Sequence, residues 1–219
     1  MSINKEKYTR LLEELDSKAT LVAVSKTKPA ENIQALYDLG QRDFGENYVQ
    51  ELVDKETALA KDIHWHFIGH LQSNKVKYIA PFVYLIHGVD SLSLLKEINK
   101  EAAKNSRVID CLLQVHIAKE ETKFGLDATE LSAVMKDKEG LNNINVVGLM
   151  GMASFSADSQ LVREEFKTLK ELYNQYPDFS VLSMGMSGDY NIAVEEGSNM
   201  VRIGSLLFGE RNYPVNKKD

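Results

Sequence analysis

At 219 residues, with 43% hydrophobic and 26% charged side chains, the chain has the size and apolar content for one large domain with a buried core. A formal net charge of −6 excludes a general nucleic-acid binder, which needs a basic face for phosphates, and leaves only a local basic pocket open. The single cysteine, Cys111, excludes an internal disulfide and a cysteine-based zinc cluster; in the run Val108-Ile109-Asp110-Cys111-Leu112-Leu113 it reads as a buried, inert thiol.

Residues 1–21 mix charges throughout and lack the apolar core of a signal peptide. No segment approaches the ~20 apolar residues of a membrane span. The expectation is a cytoplasmic protein with neither membrane nor nucleic acid as partner. The first element is a helix that places Tyr8, Leu11, Leu12 and Leu15 on one face. Eight short apolar runs follow. They are Leu21-Val22-Ala23-Val24-Ser25-Lys26, Asp43-Phe44-Gly45, His64-Trp65-His66-Phe67-Ile68-Gly69, Val83-Tyr84-Leu85-Ile86-His87, residues 108–117, Val146-Val147-Gly148-Leu149-Met150, Val181-Leu182-Ser183-Met184-Gly185, and residues 200–208. Helical patterns separate several of them: Ile33, Leu36, Tyr37 and Leu39 after Pro29; Val49, Leu52 and Val53; Leu92, Leu95, Ile98 and Ala102 after an N-cap at Asp90-Ser91; and the longest, through Leu161, Phe166, Leu169, Leu172 and Tyr173.

Near-continuous apolar strands alternating with helices imply a parallel sheet covered on both faces. Eight strands favour closure into a single (β/α)8 TIM-type barrel with an extra N-terminal helix; an open doubly wound sheet is the structural alternative. No linker or low-complexity tract divides the chain, so residues 1–219 read as one domain.

In either architecture ligands bind where strands end and helices begin. Lys26 falls there, in phase with Val22 and Val24 and so turned toward the barrel interior. Desolvation there would favour the neutral amine, which forms an imine with an aldehyde; a snorkelling strand-end lysine is the plainer alternative. Lys28 shares that phase but precedes Pro29 and is expected to point into the loop. The stretch Ser183-Met184-Gly185-Met186-Ser187-Gly188-Asp189 joins a strand to a helix containing Ile192 and Val194. It offers free amides and a hydroxyl to a phosphate, or simply a glycine turn capped by Ser187 or Asp189. In Met200-Val201-Arg202-Ile203-Gly204-Ser205 an inward Arg202 must meet a carboxylate or a ligand, and Gly204 and Ser205 stand at the strand end. These two loops follow strands seven and eight, where barrels often bind phosphate. His64, His66, His70, His87 and His116 could serve a metal-dependent hydrolase, but no carboxylate sits beside the H-x-H pair on its strand; hydrogen-bonded pocket or capping roles are the alternative. Trp65 and Tyr84 read as core or helix-facing residues.

Ala23-Val24-Ser25-Lys26-Thr27-Lys28-Pro29 resembles the lysine strand of the pyridoxal-phosphate homeostasis protein family, whose members look like the barrel domain of alanine racemase. The resemblance continues through Phe44-Gly45-Glu46-Asn47-Tyr48-Val49-Gln50-Glu51, Trp65-His66-Phe67-Ile68-Gly69-His70-Leu71-Gln72-Ser73-Asn74-Lys75, Lys123-Phe124-Gly125, Gly148-Leu149-Met150, Ser183-Met184-Gly185-Met186-Ser187 and Val201-Arg202-Ile203-Gly204-Ser205-Leu206-Leu207-Phe208-Gly209. It implies pyridoxal 5′-phosphate as cofactor, held as a Schiff base on Lys26. Ser187, Gly188, Gly204 and Ser205 would contact the phosphate, Arg202 would stand near the pyridine nitrogen, and Asn47 and Met150 would be further pocket residues. One departure is Gly151-Met152-Ala153-Ser154, where family members usually carry a short apolar stretch with proline.

The resemblance implies a protein that buffers or delivers the cofactor in vitamin B6 homeostasis, with no catalytic residues of its own. A cation beside the pyridine nitrogen weakens the ring as an electron sink. A racemase of this design also needs a second base from an additional domain, for which the sequence leaves no room after Gly209. Recipient apo-enzymes are inherited from the family alone, and a monomer is expected. The alternatives are a small pyridoxal-phosphate racemase and, further off, the metal-dependent hydrolase.

Overall fold

The computed structural model describes residues 3–119 and 124–209. Eight parallel strands close into a barrel in which each pairs with its sequence neighbours and the last with the first. They are β1 (Thr20–Val24), β2 (Asp43–Glu46), β3 (His64–Phe67), β4 (Leu85–Val89), β5 (Ile109–Val115), β6 (Ile144–Gly151), β7 (Val181–Met186) and β8 (Met200–Ile203). Closure sets Val22 opposite Arg202 and Thr20 opposite Met200. The open-sheet alternative is thereby excluded.

The helices are α1 (Lys5–Leu15), α2 (Ala30–Tyr37), α3 (Val49–Ala58), α4 (Val76–Ile79), α5 (Leu92–Lys104), α6 (Ala128–Asp137), α7 (Ser159–Tyr173), α8 (Tyr190–Glu195) and α9 (Ser205–Phe208). In α1 the buried face is Tyr8, Leu11 and Leu15, while Leu12 lies on the exposed side, contrary to expectation. Ser91 caps α5 by accepting from Leu94 N–H, as its sequence suggests. Asp158 caps α7 by accepting from the amides of Gln160 and Leu161, a device worth ~1 kcal/mol. Helix α7 then buries Val162, Phe166 and Leu169 on one stripe. The last apolar run is not one strand: it breaks at Gly204, and 205–208 turn into α9.

Strand alternation sorts the core into two layers. Outward residues such as Ala23, Phe44, Trp65, Phe67, Ile86, Leu113, Leu182, Val201 and Ile203 pack against the helices. Inward residues Val22, Leu85, Leu112, Met150 and Met200 form a separate cluster within the barrel. Tyr84, just before β4, is instead half exposed and stacks on His64 with ring centroids 4.3 Å apart. Gly148 sits beside a register irregularity between β5 and β6, where a Cβ would lie 1.7 Å from the Val181 carbonyl oxygen. No side chain fits that approach.

Candidate functional site

A cavity of about 530 Å³ opens at the C-terminal ends of the strands. Its wall includes Lys26 after β1, Asn47 after β2, Ser187 and Gly188 after β7, and Arg202, Gly204 and Ser205 from β8 and its exit. Val24 lines it too, so the period-two placement of Lys26 above Val22 holds.

The backbone around Lys26 is pinned from both sides. Ser25 Oγ donates to Glu46 Oε1 at 2.6 Å, and the Thr27 amide donates to Glu51 Oε1 at 2.6 Å. Lys55 Nζ joins the two carboxylates, at 2.7 Å from Glu46 and 2.6 Å from Glu51, and donates its third hydrogen bond to the Ser25 carbonyl at 2.8 Å. Thr27 has φ of 62°, in the left-handed region. That conformation costs about 1 kcal/mol or more in a non-glycine residue and persists because the surroundings impose it. Glu46 is wholly buried. Burial pushes its carboxyl above the ordinary range against the pull of Lys55. The run from Phe44 to Glu51 therefore serves the lysine strand, since Glu46 and Glu51 hold the residues on either side of Lys26.

Arg202 is equally constrained. Its Nη1 donates to the Ser183 carbonyl at 2.9 Å and to Ser183 Oγ at 2.6 Å, and its Nη2 donates to the Gly151 carbonyl at 3.0 Å. Burial lowers its pKa to about 10, opposed by the charge of Asp189, so it remains a cation at neutral pH. The loops after β7 and β8 meet where the Gly204 amide donates to Ser187 Oγ at 3.3 Å. Gly185, with φ of +96°, lets β7 turn toward α8, where a Cβ would lie 2.6 Å from that of Ala193. The Met186 amide closes the turn on Asp189 Oδ1 at 2.6 Å.

A sequence model described as alanine racemase, N-terminal domain, matches residues 4–212. The pyridoxal phosphate homeostasis protein of Aquifex aeolicus is 44% identical over 201 residues, covering 89% of this chain and 88% of that protein. The human protein of the same name is 41% identical over 214 residues, covering 88% and 77% respectively. The chain belongs to the pyridoxal phosphate homeostasis protein family. Among solved structures, PipY of Synechococcus elongatus with PLP bound superposes on this family member with a TM-score of 0.85 at 36% identity, over 93% of this chain and 99% of that one. Alanine racemase of Bartonella henselae, at 18% identity and a TM-score of 0.74, shares the fold, and this chain spans 60% of its length.

In this member of the family, Met150 does not reach the cavity wall. It belongs to the packed layer beneath, with Val22 and Leu112, and Met152, two residues further along, lines the cavity instead. Lys28 does not point away into its loop. It returns to the cavity rim, where Nζ donates to the carbonyls of Phe208 and Gly209 at 2.9 and 3.3 Å. The departing loop at Gly151-Met152-Ala153-Ser154 is held by the buried Glu165 of α7, which accepts from the Ser154 amide at 2.6 Å and its hydroxyl at 2.7 Å. Lys123 lies outside the described residues.

The histidines divide. His70 pairs with Asp90 at 3.3 Å and stacks on Phe124. A carboxylate does stand beside the H-x-H pair, supplied by the neighbouring strand: Asp43 Oδ1 lies 3.2 Å from His64 Nδ1 and 2.9 Å from His66 Nε2. Register pairs Asp43 with His64, which no single-strand pattern displays. Desolvation raises the Asp43 pKa, but the hydrogen bonds from His66 and His64 help to outweigh it and bring it below the usual value. Among the described residues no group of three histidine, cysteine or acidic side chains is placed to hold a metal ion.

Proposed function

We propose that this chain binds pyridoxal 5′-phosphate in the cavity above the barrel, held as a Schiff base on Lys26, and that it buffers or delivers the cofactor in vitamin B6 homeostasis. One observation carries the reading: a lysine amine, a buried guanidinium and a corner of small hydroxyl- and amide-bearing residues line the same cavity. The residues fit the group. The volume lies within the usual range for small-molecule sites, and Ser187, Gly188, Gly204 and Ser205 suit a phosphate. Asn47 Oδ1 is buried with no hydrogen-bond partner among the described residues, an acceptor that a ligand hydroxyl would satisfy.

Lys26 would hold the cofactor through its amine, the group that condenses with an aldehyde with loss of water. Bound there, the cofactor supplies an electrophilic ring. Arg202, a fixed cation, disfavours protonation of the ring nitrogen and so limits that ring as an electron sink. Among the described residues the titratable side chains of the wall are Lys26, Lys28, Asp189 and Arg202. Lys28 and Asp189 are already engaged with backbone groups. Binding without amino-acid turnover follows, with apo pyridoxal-phosphate enzymes as recipients of the cofactor. No helix among the described residues is long and apolar enough to cross a membrane, in keeping with a cytoplasmic role.

The test incubates holo-protein with single amino-acid enantiomers in deuterated water and follows the α-proton by NMR. No exchange, together with transfer of cofactor to an apo-enzyme faster than spontaneous release, supports the proposal. Exchange at ordinary turnover rates that disappears in Lys26→Ala makes the chain a racemase-like enzyme instead.

A further inference from the structure

A chain of hydrogen-bonded side chains runs through the inside of the barrel, from Arg202 at the cavity to Asp43 at the start of β2. Ser183 Oγ, which accepts from Arg202 Nη1, lies 3.1 Å from His87 Nδ1. His87 Nε2 lies 2.9 Å from His66 Nδ1, and His66 Nε2 lies 2.9 Å from Asp43 Oδ1. Ser183, His87 and His66 are wholly buried. Five strands contribute inward-facing polar residues where aliphatic ones would pack more cheaply.

Burial pushes both imidazoles below their ordinary range, His87 far below, where the charge of Arg202 adds to the effect, so both rings are neutral and each carries one N–H. The Asp43 end then fixes the direction of every bond. A carboxylate only accepts, so His66 carries its proton on Nε2 and donates it to Asp43. Its Nδ1 must then accept, from a His87 that carries its own proton on Nε2. His87 Nδ1 accepts in turn the hydroxyl hydrogen of Ser183, whose Oγ accepts from Arg202. Both rings have the same tautomer.

We propose that Asp43, His66, His87 and Ser183 are positioning residues for Arg202: a one-way relay that fixes the guanidinium at the cavity and gives it a distant counter-charge. The relay exists in the bare protein; only what Arg202 meets in the cavity rests on the pyridoxal-phosphate reading. With both Nη1 hydrogens and one on Nη2 held by Ser183 and Gly151, the donors left for a ring nitrogen are Nε–H and the second Nη2–H. The relay thus determines which edge of the guanidinium a ligand encounters.

Two measurements separate the relay from the ligand. In the ¹⁵N-histidine-labelled protein without cofactor, His66 and His87 should each show an unprotonated Nδ1 and a protonated Nε2 at neutral pH. A protonated Nδ1 in either ring overturns the relay, whatever the cavity binds. The second measurement titrates pyridoxal 5′-phosphate into wild type, Ser183→Ala and Asp43→Asn, with thermal melting as the control for folding. Ser183→Ala should displace the visible Schiff-base band and weaken binding on the order of tenfold, as expected for one charge-assisted hydrogen bond. Asp43→Asn keeps the acceptor for His66 but removes the charge, and should move the band in the same direction by less. An unmoved band and affinity in folded Ser183→Ala overturns the proposal. A band moved by Ser183→Ala but not by Asp43→Asn removes Asp43 and the histidines from the positioning role. If wild type gives no band, the cavity reading fails while the nitrogen shifts still decide the relay.

Discussion

Replacing Lys55 with methionine removes the cation that ties together both sides of Lys26. In the wild type its ammonium gives all three hydrogens to Glu46, Glu51 and the Ser25 carbonyl. Without it, Glu46 is a wholly buried carboxylate whose Oε1 keeps only the Ser25 hydroxyl and whose Oε2 already lacks a partner among the described residues. Removing one member of a buried ion pair costs about 3–5 kcal/mol, a large part of the about 5–15 kcal/mol stability of an ordinary domain. The cost should depend on pH. Burial already raises the Glu46 pKa, and the loss of Lys55, which opposes that rise, raises it further. A raised acid contributes stability that is fully present below its unfolded value, about 4.5, and is lost as pH rises through the folded one. Lys55→Met should therefore fall further behind wild type in urea at about pH 8 than at about pH 5. Adding Glu46→Gln should recover part of the loss at the higher pH. Cofactor retention should fall as well, because Ser25 and Thr27 lose their anchors. A cost below about 1 kcal/mol at the higher pH, or a double variant no better than Lys55→Met, would refute the clamp.

Stability should also rise with pH through the histidine range. Burial depresses the folded pKa of His66 and His87, so below the unfolded value of about 6.5 the unfolded chain takes up protons that the folded one refuses. The limiting loss for a histidine held neutral is about 1.4 kcal/mol per pH unit on acidification. Asp43, whose pKa is lowered, adds stability that is lost only at more acid pH, below its unfolded value of 3.8. Urea midpoints that do not change below about pH 6.5 would contradict this. At the cavity, pyridoxal without its phosphate should bind far more weakly than the phosphate, and Ser187→Ala should weaken retention by ~1 kcal/mol, one hydrogen bond among several. Equal dissociation constants for the two ligands by titration would remove the anion corner from the site.

The barrel was legible because a parallel strand buried on both faces writes an apolar run into the sequence, and eight such runs are easily found. Helix α6 announces itself in the sequence by the reciprocal capping box of Asp127 and Glu130, a signal that periodicity alone does not register. Lys26 and Arg202 stood out as charges within apolar strands. Met150 was expected at the pocket from the family resemblance alone, which carries over a residue's place in a motif and not its depth in this barrel, where it packs beneath the cavity. The Asp43–His66–His87–Ser183 relay was invisible for a related reason. Its partners come from β2, β3, β4 and β7, and only barrel closure brings them together. Lys28 escaped because its acceptors are backbone carbonyls of Phe208 and Gly209, far away in the chain.

The proposed function stands on covalent attachment of pyridoxal 5′-phosphate to Lys26. Reducing the loaded protein with borohydride and mapping the modified peptide by mass spectrometry tests it directly. A single adduct on Lys26, absent from Lys26→Ala, is the predicted result. An adduct on Lys28, which lines the same cavity, or on Lys75, with Lys26 unmodified, would contradict it.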